Sequence, residues 1–173
     1  MNLSYKVIDN KYENLKQILK LEFGVSDRLL LRLKTNKKIF INNNIAFIND
    51  LIHLNDTISV LIDFEEDNSN IVPTQMNLNI VYEDEFMLIL NKQSGIAIHP
   101  SCMHFDNSLS NGVKYYFDSI GLKKKIRPVN RLDKDTSGLV VFAKNEYIQE
   151  CLVNQMKSKI FKKEYLAILN GIL

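Results

Sequence analysis

The sequence predicts an α+β chain in which a small helix-and-strand unit precedes a larger sheet-bearing one. Three observations carry this. Apolar residues recur at helical spacing early in the chain, short runs of strand length follow them, and a polar stretch broken by Pro73 separates two such groups. Of the 173 residues, 46% are hydrophobic and 24% charged, a composition that suits a globular chain with a buried core.

Between Glu13 and Phe23, the residues Leu15, Ile18 and Leu19 mark one face of a helix. Ser26 followed by Asp27 is a good cap for a second helix carrying Leu29, Leu30 and Leu33. Next come the run IFIN, an Asn-rich turn at Asn42 to Asn44, the run IAFI, a turn at Asn55 and Asp56, and the strand TISVLID. Residues 1–64 are thus expected to form an ααβββ domain, and residues 65–77, acidic at their start, are expected to link it to the rest.

In the second domain, residues 78–173, LNIVYED and EFMLILNKQ read as two strands joined at Asp84 and Glu85. HPSCMHFDNS reads as a loop and SLSNGVKYYFDSI as a helix. After the loop RLDKDTSG come a strand over GLVVFAK, a helix over NEYIQECLVNQMKSK and a last strand over KKEYLAILNG. No internal repeat or low-complexity tract interrupts this order.

The formal net charge of +2 does not by itself point to nucleic acid, but the clustering of the cations does. RLLLRLKTNKK holds Arg28, Arg32, Lys34, Lys37 and Lys38 with no acid among them. KKKIRPVNR supplies Lys123, Lys124, Lys125, Arg127 and Arg131, and MKSKIFKK supplies Lys157, Lys159, Lys162 and Lys163 shortly before Tyr165. One such run is well explained as the solvated face of a helix, whereas three favour a polyanionic partner, with Tyr165 able to stack on a base. MNLSYKVIDN lacks the apolar core of a signal peptide, and no run approaches the about 18 apolar residues of a membrane helix, so a cytoplasmic location is expected. Cys102 and Cys151 are then expected as free thiols.

The loop around Asp133 admits several readings. Asp133, Asp135, Ser137 and Gly138 fall at positions one, three, five and six of a calcium loop, but position twelve is Lys144, a cation where a bidentate carboxylate is required. His99, Cys102 and His104 lie close together, yet no second cluster supplies a fourth ligand and the spacing is not a common zinc pattern, so no metal site is assigned. No G-x-S-x-G elbow supports a serine triad and no Gly-rich loop cradles phosphates. Asp133 with Asp135 as a glycosidase pair fits poorly with so many cations, which suit an anionic substrate better than a neutral sugar. The plain alternative is that DKDTSG is only a tight turn.

The stretch NRLDKDTSGLVVFAK resembles the signature of the RluA family of RNA pseudouridine synthases, H-R-L-D-x-x-T-S-G followed by an apolar strand ending in A-K. It matches at Arg131, Leu132, Asp133, Thr136, Ser137, Gly138, Ala143 and Lys144, with Asn130 where the family usually has histidine. LNKQSGIAIHP is similar to the family's N-K-P-x-G-x-x-x-H-P, with Gln93 in place of proline, and KKEYLAILNG is similar to K-x-Y-x-A-x-x-x-G. The N-terminal domain resembles the ribosomal S-four type of RNA-binding domain.

The resemblance implies isomerisation of uridine to pseudouridine in structured RNA, ribosomal sooner than transfer RNA, without a cofactor or metal. Asp133 would be the catalytic carboxylate, attacking the anomeric carbon or abstracting a ribose proton. Arg131 would fill the gap left by the extruded uridine, and Tyr165 would stack on the base with its hydroxyl free for proton chemistry. Lys92, His99 and Lys163 would join Arg28, Arg32, Lys34, Lys37 and Lys38 in holding RNA. A further family motif, near G-R-T-H-Q-I-R, belongs to a catalytic domain roughly twice as long as residues 78–173, so the chain is expected to carry the first half of that domain. The competing expectation is an RNA-binding fragment without catalysis.

Overall fold

The computed structural model describes residues 1–102 and 105–171. Its first part is a four-stranded antiparallel sheet with two helices, in the order β1 (Asn2–Lys6), α1 (Leu15–Leu21), α2 (Asp27–Thr35), β2 (Ile39–Ile41), β3 (Asn44–Ile45) and β4 (Thr57–Leu61). The strands lie side by side as β1-β4-β2-β3. Leu15, Ile18 and Leu19 of α1 and Leu29, Leu30 and Leu33 of α2 pack on Ile39, Ile58 and Val60, all buried, as their helical and alternating spacings require. Ser26 caps α2 through its hydroxyl, which accepts from Leu29 N at 3.3 Å.

Two expectations need correction here. The unit is βααβββ and not ααβββ, because Asn2–Lys6 pairs with β4 in the register Leu3↔Val60 and Tyr5↔Ile58. Only Leu3 and Tyr5 carry its alternation, too little to declare a strand without the partner. The run IAFI contributes only its first residue to β3. Asn42 and Asn43, both at positive φ, turn the β2-β3 hairpin, but the amide of Phe47 then bonds Asp50 Oδ2 at 2.7 Å, so the chain enters a turn where the strand was expected.

The second part carries β5 (Ile80–Glu83), β6 (Met87–Lys92), α3 (Leu109–Ser119), β7 (Gly138–Ala143) and α4 (Glu146–Lys157). The strands form an antiparallel sheet β5-β6-β7 with Leu88↔Phe142 and Leu90↔Val140 in register. Alternation then sorts side chains to two faces. Leu88, Leu90, Val140 and Phe142 meet Leu109, Val113 and Phe117 of α3, while Val141, Ala143, Met87 and Ile89 meet Ile148, Leu152 and Met156 of α4. The result is a helix, sheet, helix sandwich.

Residues 65–77 contain no helix or strand, yet they are anchored. Asn68 Nδ2 donates to Lys124 O, and Asn68 Oδ1 accepts from Ile126 N at 3.0 Å. The expected last strand is absent: Lys162 to Leu169 pairs with no described strand, and Leu166 and Ile168 are fully exposed. A strand needs a neighbour's backbone groups, and among the described residues no strand offers them to this segment.

Candidate active site

The loop between Asn130 and β7 begins as a turn, with Thr136 N donating to Asp133 O at 3.2 Å. Its carbonyls are held by the segment that leaves β6. Lys92 Nζ donates to Lys134 O at 2.8 Å, Gly95 N to the same oxygen at 2.9 Å, and Ser94 Oγ to Asp135 O at 2.8 Å. Lys92 also donates to Gln93 O at 3.0 Å and to Ile96 O at 2.9 Å, so all three ammonium protons have carbonyl acceptors. Two segments 42 positions apart are thereby closed on one buried cation.

Lys92 was expected among the RNA contacts. It is 1% exposed instead and holds the loop from beneath. Burial pulls its pKa below the ordinary lysine value, against the opposing influence of the Asp135 and Asp133 carboxylates. Gly95, at φ 85°, supplies the left-handed backbone that brings its N–H to the loop, a conformation side-chain-bearing residues rarely adopt.

Before the loop, Pro128 lies opposite Phe142, and Val129 N donates to Val141 O at 2.7 Å. Asn130 follows, 6% exposed, with its side-chain amide bonded to the backbone of β7 on both sides. The chain then turns outward. Arg131 and Asp133 are exposed, and neither takes part in an ion pair among the described residues. His99 is exposed as a residue, yet partial shielding of its ring from water first, and the nearby Arg131 guanidinium second, hold its pKa below the ordinary value, which favours a neutral imidazole.

Beside the loop is a groove of about 880 Å3, whose lining includes Asn130, Leu132, Asp135, Thr136, Lys163 and Tyr165. Asp133 sits on the turn between the lining residues Leu132 and Asp135. Tyr165, 64% exposed, and Lys163 thus share one groove with the loop although their segment forms no strand. The plain reading of DKDTSG as a turn and the reading as a site are therefore compatible.

The cations of α2 do not line this groove. Arg28, Lys34 and Lys37 are exposed. Arg32 faces inward: its Nη1 donates to Glu66 Oε1 at 2.6 Å and Glu146 Oε1 at 2.8 Å, and its guanidinium lies 4.0 Å from the centre of the Phe64 ring. Lys38 pairs with Asp63 at 2.6 Å. Cys102 and Cys151 are free thiols. Of the considered metal trio, His104 lies outside the described residues, and among the described residues no group of three His, Cys, Asp or Glu is arranged for a metal ion.

Two participants escaped sequence reasoning. Glu66 lay in the expected linker, and nothing local marks it as the partner of Arg127, 61 positions away. Asn130 stood out only as a departure from the histidine of a motif.

The family described as RNA pseudouridylate synthase matches residues 86–172. An uncharacterized RNA pseudouridine synthase of Bacillus subtilis, YhcT, is 34% identical over 157 residues, which are 90% of this chain and 51% of that protein. The ribosomal large subunit pseudouridine synthase D of Borreliella burgdorferi is 35% identical over 157 residues, 86% of this chain and 44% of that protein. The chain thus spans about half the length of these curated relatives. Among solved structures, human RNA pseudouridylate synthase domain containing 1 aligns with a TM-score of 0.39 at 26% identity, covering 48% of this chain and 29% of that one. No helix of the described residues is long and apolar enough to cross a membrane.

Proposed function

As the chain belongs to the RNA pseudouridylate synthase family, we propose that it binds structured RNA, ribosomal RNA foremost, and isomerises uridine to pseudouridine with Asp133 as the catalytic carboxylate. The observation that carries this reading is the exposed Asp133 on a loop braced by Lys92, next to a groove lined by Lys163 and Tyr165. In the net reaction the bond from the ribose anomeric carbon to N1 of the base breaks, and one to C5 forms. The C5 proton leaves and N1 gains one, so no oxidant or cofactor is consumed. Asp133 opens this sequence either by attacking the anomeric carbon or by taking a ribose proton.

Arg131, exposed two residues before Asp133, is suited to occupy the space of a uridine drawn out of its stack, because a guanidinium both stacks and donates hydrogen bonds. Tyr165 has a free ring for the extruded base. The first domain, with Arg28, Lys34 and Lys37 exposed on and just after α2, acts as an S-four-like RNA-binding module, and the working location is the cytoplasm.

The second reading is RNA binding without isomerisation, which the exposed cations Arg28, Lys34 and Lys37 would support on their own. Incubating the chain with unmodified ribosomal RNA and quantifying pseudouridine by mass spectrometry separates the two. Conversion at stoichiometry above one per chain supports the enzyme; retained binding with no conversion supports the binder.

A further inference from the structure

Asn130 makes two hydrogen bonds that belong to a β ladder, and neither comes from its backbone. Val141 N donates to Asn130 Oδ1 at 2.9 Å, and Asn130 Nδ2 donates to Leu139 O at 2.9 Å. Just upstream the chain pairs with β7 in ordinary antiparallel fashion, with Val129 N donating to Val141 O at 2.7 Å and Ala143 N to Arg127 O at 2.9 Å. Continued by one rung, that ladder would have Val141 N donating to the carbonyl of Val129, and Arg131 N donating to the carbonyl of Leu139. The Asn130 amide takes both places at once. Its oxygen stands in for the Val129 carbonyl and its NH2 for the Arg131 N–H, so Val141 N and Leu139 O both keep partners while the backbone at Arg131 is released from the sheet.

We propose that Asn130 is a positioning residue: by completing the β7 ladder with its side chain, it makes the chain leave the sheet at this residue and carries Asp133 onto the exposed turn. This rests on the reading of Asp133 as the catalytic carboxylate. With the ladder continued by backbone instead, Arg131 would lie flat against Leu139 and the turn that begins at Asp133 would start from the sheet edge. Val141 is 6% exposed, so losing its bond to Asn130 leaves a buried N–H without a partner, and losing the other frees the carbonyl of the more exposed Leu139.

The role demands one donor and one acceptor on the same short side chain, which makes it testable by titration. In Asn130→Asp the carboxylate accepts from Val141 N but turns a lone pair toward Leu139 O; only its protonated form can donate there. In Asn130→His the neutral imidazole has one N–H and one lone pair, and protonation removes the lone pair that Val141 N needs. The two variants respond to pH in opposite directions. Asp135, Lys162, Lys163, Glu164 and Tyr165 of the same groove and His99 near Arg131 are identical in all three forms, so the unmodified chain at both pH values is their control.

The experiment compares the unmodified 173-residue chain, Asn130→Asp and Asn130→His at pH 5.5 and 7.5. Hydrogen exchange at the Thr136 amide, which bonds Asp133 O, is measured beside uridine conversion per folded molecule. At pH 7.5 Asn130→Asp should exchange about tenfold faster at Thr136 and convert uridine roughly 100-fold more slowly, recovering toward pH 5.5; Asn130→His should be near the unmodified chain at pH 7.5 and deteriorate at pH 5.5. Equal behaviour of Asn130→Asp and the unmodified chain at pH 7.5, or equal losses in both variants at both pH values, overturns the proposal. Should Asn130→Asp fail to fold, the two pH values of Asn130→His decide alone. If the unmodified chain converts no uridine, the reading of Asp133 fails by itself, and Thr136 exchange still decides whether Asn130 sets the turn.

Discussion

Arg127 grips Glu66 with both ends of its guanidinium, Nη1 reaching Oε2 at 2.6 Å and Nη2 reaching Oε1 at 2.7 Å. The same carboxylate accepts from Arg32 Nη1 at 2.6 Å. One side chain therefore ties α2 of the first unit to the segment that leads, four residues later, into the loop of Asp133. The Tyr147 hydroxyl adds to this joint by donating to Phe23 O at 2.8 Å. A bidentate pair on a nearly buried carboxylate fixes geometry as well as contributing energy.

The Glu66 network should appear as acid sensitivity. Burial works to raise the Glu66 pKa, but the hydrogen bonds and charges of Arg127 and Arg32 outweigh it and hold it at about 2, against an ordinary 4.5. A depressed folded-state pKa contributes stability above the unfolded value and loses it as pH falls through the folded one. That drop corresponds to about 3 kcal/mol, withdrawn between about pH 5 and pH 2. Glu66→Gln should lower stability at pH 7 by a similar amount and flatten Tm against pH in that window. Thermal melts of both proteins from pH 7 to 2.5 check this, and identical slopes would show that Glu66 carries none of the acid sensitivity.

Lys92→Met keeps the bulk of the side chain and removes the donor that three carbonyls share. The loss of a buried charge-assisted set should cost about 2–3 kcal/mol and loosen the turn that carries Asp133. Chemical denaturation gives the first quantity, and limited proteolysis near Lys134 the second. A variant as stable and as protease-resistant as the parent would show that the ammonium braces nothing.

Among the basic residues of the first unit, exposure separates two behaviours. Charge reversal at Arg28, Lys34 and Lys37 should weaken RNA binding and make the affinity less salt-dependent, the log-log slope falling by about one for each phosphate left without its cation, with Tm unchanged. Arg32→Glu should instead destabilise the fold, since Arg32 is held by Glu66 and Glu146. Affinity measured across salt concentrations, beside Tm, distinguishes the two sets.

Where alternation or helical spacing is long, the pattern alone places the element: α2, β6, β7 and α4 lie where their patterns predict. Elsewhere tertiary partners decide. β1 is a strand because β4 pairs with it, and Lys162 to Leu169 is none because no described strand does. For the site, the residue types around Asp133 were readable because a carboxylate among cations is a local pattern. The burial of Lys92, the inward turn of Arg32 and the ladder role of Asn130 were not, since each depends on backbone groups or carboxylates brought together by folding. An exposed cation and a buried one look alike in a sequence.

The proposed activity turns on Asp133 performing the chemistry. Single-turnover conversion of uridine in ribosomal RNA, measured for the chain and its Asp133→Asn variant with RNA affinity determined in parallel, puts that role to the test. The variant is expected to bind within about twofold of the parent, because one exposed carboxylate adds little to phosphate-driven affinity, and to form no pseudouridine. Conversion by Asp133→Asn at a rate comparable to the parent would contradict the assignment.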